Sequence, residues 1–236
     1  MIVILNNKCN LNKDEFKAYL KDISEIKTKI DLVLCPNFLN ISEFKSDKII
    51  LGSQNVSAQN SGAFTGEISA NILKSYNVKY CLVGHSERRK YQQENYHEIN
   101  QKIKKLLESN ITPILCIGET KEERDSKKYK EVIKEQLLSA IKDLSLENQK
   151  KIIIAYEPVW SIGTGLIPTN NQIEEIFSYI KSYIMTNKIL YGGSVNETNV
   201  DTLKKINLID GYLLGTLSLQ EKKLKLFFNK IENLTN

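Results

Sequence analysis

Proline and glycine are scarce in this chain, 4 and 11 of 236 residues, and no linker or low-complexity tract divides it. With 41% hydrophobic residues, that composition belongs to a chain able to bury a substantial core. Long apolar runs are also missing. None approaches the length of a membrane span. The opening MIVIL is too short for a signal-peptide apolar region and leads directly into a strand pattern. Cysteine is limited to Cys9, Cys35, Cys81 and Cys116, each in or beside an apolar run and none with CxxC spacing. The expectation is buried free thiols in a reducing compartment. Neither charge sign dominates: 33 basic and 28 acidic residues are interspersed and give a formal charge of +5. The lysines of 102–105 and 127–130 read as solvated helix faces, not as a nucleic-acid footprint. No nucleic-acid partner and no membrane are expected, and the location expected is cytoplasmic.

What the chain does have is alternation. Strand patterns fall at Ile2–Asn6, Leu32–Cys35, Ile49–Gly52, Tyr80–Val83, Thr112–Ile117, Ile152–Tyr156, Lys188–Tyr191 and Gly211–Leu214. Helical stripes lie between them. Ile99, Ile103, Leu106 and Leu107 share one face, as do Ile133, Leu137, Ala140, Ile141 and Leu144. A third stripe joins Ile173, Ile176, Phe177, Ile180 and Ile184. Capping-box spacing marks two helix starts, Thr169 with Gln172 and Ser194 with Glu197. Short buried strands alternating with helices imply an α/β fold with a parallel sheet. Eight units favour a closed (β/α)8 barrel with outer helices, although periodicity leaves an open doubly wound sheet as the alternative. One domain, residues 1–236, is expected.

Chemistry-bearing residues gather where these strands end. After the sixth strand comes AYEPVWSIGTG, Ala155–Gly165, with Glu157 at the strand end, then Pro158, Trp160, Gly163 and Gly165. By its residues alone, Glu157 is equally an ordinary strand exit or a base beneath a mobile flap. VGHSERR, Val83–Arg89, puts His85 at a strand end and a helix start, where the helix field disfavours imidazolium. Such a His is either structural or a neutral hydrogen-bond donor. Asn6 and Lys8 read as surface residues or as a fixed cation and its polar neighbour. Gly192-Gly193-Ser194 and Gly215-Thr216 offer backbone N–H groups to an anion.

Taken together, AYEPVWSIGTG, VGHSERR, the Asn6–Asn10 segment, YGGSV at Tyr191–Val195, DGYLLGTLS at Asp210–Ser218 and QNSGAFTGE at Gln59–Glu67 resemble the triosephosphate isomerase family. The resemblance runs from the first strand to the eighth loop. It implies a (β/α)8 barrel that interconverts dihydroxyacetone phosphate and D-glyceraldehyde 3-phosphate through an enediolate, in glycolysis and gluconeogenesis, with no metal and no organic cofactor. It makes Glu157 the base, His85 the electrophile and Lys8 the stabilising cation. Asn6, Lys8, Gly163, Ser194, Gly215 and Thr216 become substrate contacts, and Glu87 a supporting residue. Arg88 becomes a structural or interface residue. Thr65 would reach the active site of a second subunit in a homodimer.

Four departures from the family pattern stand out. Asn7 lies where an aromatic is usual, Cys9 where Met is common, and Thr216 where a second Gly is usual. Leu166-Ile167-Pro168 replaces a small or polar lid hinge. In the family a Tyr matching Tyr191 bonds a lid N–H where Pro168 falls, so a missing latch is expected. Two other readings stay open: another phosphate-binding barrel isomerase or epimerase, and a non-catalytic binding protein on the same scaffold.

Overall fold

A computed structural model describes residues 1–186 and 188–232. Its eight strands are β1 (Ile2–Asn6), β2 (Asp31–Cys35), β3 (Ile50–Ser53), β4 (Tyr80–Val83), β5 (Thr112–Ile117), β6 (Ile153–Tyr156), β7 (Ile189–Tyr191) and β8 (Gly211–Leu214). They pair in sequence order, all parallel, and β8 returns to β1 to close the barrel. Closure is in register: Ile2 faces Gly211, Val3 faces Tyr212, and Ile4 faces Leu213. Helices lie between successive strands, so the expected (β/α)8 barrel is the fold observed. No helix among the described residues is long and apolar enough to cross a membrane.

The strands read as apolar runs because both of their faces are buried. Ile2, Ile4, Val33, Cys35, Leu82, Ile114, Cys116, Ala155, Leu190 and Leu213 form one cluster made of strand residues alone, which fills the barrel. Their neighbours Val3, Leu5, Leu32 and Leu34 point the other way and join the helices. The first helix, Lys13–Ser24, shows how a helix is fastened to that outer layer. Phe16, Tyr19, Leu20 and Ile23 recur at helical spacing and are buried. Each such side chain stabilises the fold by about 1.5–3 kcal/mol. The start of this helix is fixed by Asn12, whose side chain accepts from Glu15 N while Glu15 Oε2 accepts from Asn12 N.

Three expectations need correction. The capping box at Thr169 and Gln172 forms, but the one at Ser194 and Glu197 does not. There the helix begins at Val200 after Asn199, and the Ser194 hydroxyl is committed to the Ser161 carbonyl. Of the four free cysteines, Cys35, Cys81 and Cys116 are buried, but Cys9 is exposed because it follows the strand end, outside the sheet. Lys102 is not solvated: its side chain is 1% exposed and its ammonium is paired with the fully buried Glu94. Asn55 Oδ1 and Glu98 Oε1, each at 3.0 Å, complete its surroundings. A buried ammonium needs such partners.

Candidate active site

A cavity of about 300 Å³ opens at the C-terminal strand ends. Asn6 and Lys8 reach it from β1, His85 from β4, Glu157 from β6, Ser194 from β7, and Gly215 and Thr216 from β8. Gly163 lines it from the flap. Eight of the residues expected at the site thus meet in one place, as parallel barrel geometry dictates.

Glu157 is buried, with Oε1 3.2 Å from His85 Nε2. Burial pushes its carboxyl pKa up. The His85 ring, with smaller help from Cys116 and Lys8, outweighs that and holds it below the usual carboxylate value. Oε2 is buried with no hydrogen-bond partner. Oε2 is therefore the carboxylate oxygen left free to take a proton from a ligand in the cavity.

His85 caps the short helix Ser86–Tyr91, and its Nδ1 accepts from Glu87 N at 3.2 Å. An acceptor at Nδ1 places the ring proton on Nε2, facing Glu157 and the cavity. Burial alone drives the imidazole towards neutrality, but the neighbouring Glu157 and Glu87 carboxylates carry its pKa above the ordinary value. The ring therefore has a donor on the cavity side while its other nitrogen stays bound to the helix start.

Lys8 has φ of 53°, a left-handed conformation that strains a residue with a side chain. The conformation is held from both sides. Asn6 Oδ1 accepts Lys8 N at 3.0 Å, and Gln54 Nε2 donates to Lys8 O at 2.9 Å. Its ammonium meets Glu87 Oε1 at 2.5 Å. A Cβ on Gly215 would come within 3.2 Å of Lys8 Cε, so glycine gives this lysine room against the eighth loop. Thr216 is not among the residues with positive φ, so its departure from glycine costs no strain. Asn7 is buried in place of an aromatic: its Nδ2 reaches Tyr19 Oη at 3.3 Å and Ser218 Oγ at 3.4 Å. Tyr19 Oη in turn donates to Ser218 O at 2.8 Å. A polar bridge thus joins the end of β1 to the eighth loop at the position where the family usually has an aromatic.

The flap begins with a 3-10 turn, Val159–Ser161, and runs through Gly163 and Gly165 at φ of 70° and 77°. Leu166 and Ile167 are exposed, and Pro168 is buried. Ser161 Oγ donates to Leu166 O at 2.7 Å and accepts Ser194 N at 3.3 Å. In this state Ser194 is held by the flap. The Tyr191 hydroxyl, beside Ser161, is buried without a well-aligned partner.

Two expected residues lie outside the cavity lining. Glu87 stands behind it, between Lys8 and His85, while Thr65 is exposed on its own loop. Sequence reasoning also passed over a cluster that anchors the flap. Glu119 Oε1 accepts from Trp160 Nε1 at 2.9 Å, from Arg124 Nε at 2.9 Å and from Tyr156 Oη at 3.1 Å. The signal was the carboxylate directly after the fifth strand, which only the fold brings to Trp160.

The family model for triosephosphate isomerase matches residues 1–234. The chain is 40% identical over 234 residues to the triosephosphate isomerase of Mycoplasmopsis pulmonis (strain UAB CTIP), covering 93% of each chain. To that of Alkaliphilus metalliredigens (strain QYMF) it is 39% identical over 234 residues, covering 93% of this chain and 94% of the relative. To that of Buchnera aphidicola subsp. Baizongia pistaciae (strain Bp) it is 40% identical over 250 residues, covering 98% of each.

Proposed function

The chain belongs to the triosephosphate isomerase family, and from that premise we propose how its cavity interconverts dihydroxyacetone phosphate and D-glyceraldehyde 3-phosphate. Triosephosphate isomerase is itself the type case of a glutamate base beside a neutral histidine. In this chain the Glu87 N–H donated to Nδ1 holds His85 in that form, against the pull of the Glu157 and Glu87 carboxylates towards imidazolium. Glu157 Oε2 removes the proton from the carbon next to the carbonyl. The C–H electron pair becomes the carbon–carbon double bond of the enediolate, and the carbonyl π pair moves to oxygen. His85 donates its Nε2 proton to that oxygen and regains one from the neighbouring hydroxyl. Glu157 then returns its proton to the adjacent carbon. Lys8 stabilises the negative charge on the intermediate. The observation that carries this reading is the buried, unengaged Oε2 of Glu157, with His85 Nε2 3.2 Å from Oε1.

Gly163, Ser194, Gly215 and Thr216 hold the phosphate end of the substrate, and Asn6 contacts the substrate beside Lys8, whose N–H its side chain holds. Flap closure requires Ser161 to release Ser194 N, which frees that N–H for phosphate. Closure also excludes water from the enediolate. Glu87 fixes Lys8 and His85. The whole chain acts as one catalytic barrel, in the cytoplasm, and pairs as a homodimer. Phe64 and Ile72, apolar and 44% and 48% exposed, support docking of the Thr65 loop against a second copy.

The test is isomerisation of D-glyceraldehyde 3-phosphate in a coupled assay with 2-phosphoglycolate as competitor. Turnover with competitive inhibition is expected. A folded dimer without turnover would overturn the proposal.

A further inference from the structure

Glu197 and Lys223 line the same cavity, on the side of Ser194 and Thr216, and the isomerisation chemistry uses neither. Lys223 comes from the helix Glu221–Glu232, and Glu197 from the segment ahead of the helix Val200–Leu203. Their charged atoms stand 3.8 Å apart, too far for a hydrogen bond, with the Lys223 side chain 53% exposed and that of Glu197 19%.

The charges around the cavity give this pair a role. Among the described residues its charged lining is Lys8 and Lys223 against Glu157 and Glu197, with no net charge. Glu87 adds a negative charge directly behind, bound to Lys8. A doubly charged phosphate ester approaching the mouth therefore meets an interior whose one cation is already engaged. We propose that Lys223 is the rim residue that draws the phosphate end of the substrate into the cavity, and that Glu197 moderates its field. The inference rests on reading the cavity as a triose phosphate site. Lys223 acts on entry, not on the chemical step, so its effect falls on kcat/KM and depends on salt.

In water, a single charge and a dianion about 8 Å apart attract enough to change an encounter rate about fourfold at 10 mM ionic strength. Near 1 M salt that factor shrinks to about 1.1. The experiment measures kcat/KM for D-glyceraldehyde 3-phosphate at both ionic strengths for the full chain, Lys223→Gln, Glu197→Gln and the control Lys225→Gln. Lys225 lies on the same helix but pairs with Glu25, away from the cavity. Expected is a two- to fourfold fall for Lys223→Gln and a rise of similar size for Glu197→Gln, both at low salt only. The kcat values and the control should stay unchanged. Effects of the same sign in the two variants, effects that persist at 1 M salt, or no effect at 10 mM would overturn the inference. Stopped-flow fluorescence of Trp160 on mixing with 2-phosphoglycolate gives the association rate directly. It tests the rim pair even if turnover were absent, an outcome that would count against the isomerase reading alone.

Discussion

Replacing Lys102 with methionine keeps most of the side chain's volume and removes a charge from a place without water. Glu94 Oε1 would then keep only Arg88 Nε, 3.5 Å away, and Oε2 has no partner even now. Breaking a buried pair on one side costs about 3–5 kcal/mol, because the remaining carboxylate is left uncompensated. For a chain of this size each kcal/mol moves Tm by roughly 2–4 °C, so a fall of about 6–20 °C is expected. Lys102→Met with Glu94→Leu removes both charges and should recover most of that loss. Differential scanning calorimetry at neutral pH reads both shifts. A single variant that melts within 2 °C of the parent, or a double variant no better than the single, would refute the assignment of Lys102 and Glu94 as an ionised buried pair.

Three other outcomes follow from the site. Tyr191→Phe removes a hydroxyl that has no well-aligned partner, and Pro168, where the resemblance puts its lid partner, offers no N–H, so kcat and KM should stay within about twofold. A tenfold fall in kcat would mean that the closed flap does engage it. Glu119→Gln removes the charge on which Trp160, Arg124 and Tyr156 converge, and kcat/KM should drop about 10- to 100-fold as the flap loses its anchor. Unchanged kinetics would remove Glu119 from that role. Glu157 has a folded pKa below its unfolded value, so its contribution to stability is complete above the unfolded pKa and is lost as pH falls through the folded one. The Tm difference between the parent and Glu157→Gln should therefore shift steadily against the parent as pH is lowered from 5 towards 3. A pH-independent difference would contradict the lowered pKa.

Strand positions were legible to within one residue because a parallel strand buried on both faces is a short apolar run with sharp edges. Closure was legible from the count of eight units and from the family resemblance, not from periodicity, since Ile2 and Val3 are equally apolar although one fills the barrel and the other meets a helix. The residues that line the cavity could be read from strand ends and motifs because a barrel puts all of those ends on one face. What escaped were interactions set by three-dimensional neighbours. Lys102 sits among lysines on a helix, and only packing against Glu94 reveals that it is buried. Ser194 has the spacing of a cap, but the flap takes its hydroxyl first. Asn7 stood out in the sequence only as a departure from the family's usual aromatic, and Tyr19 and Ser218 turn it into a polar bridge.

The central claim is that the Glu157 carboxylate moves the carbon-bound proton. Steady-state isomerisation of D-glyceraldehyde 3-phosphate by Glu157→Asp tests it most directly, because the shorter side chain withdraws the carboxylate from the cavity by one methylene. The account predicts a fall in kcat of about 100-fold or more with KM within about threefold. A variant that turns over at nearly the parent rate would contradict it.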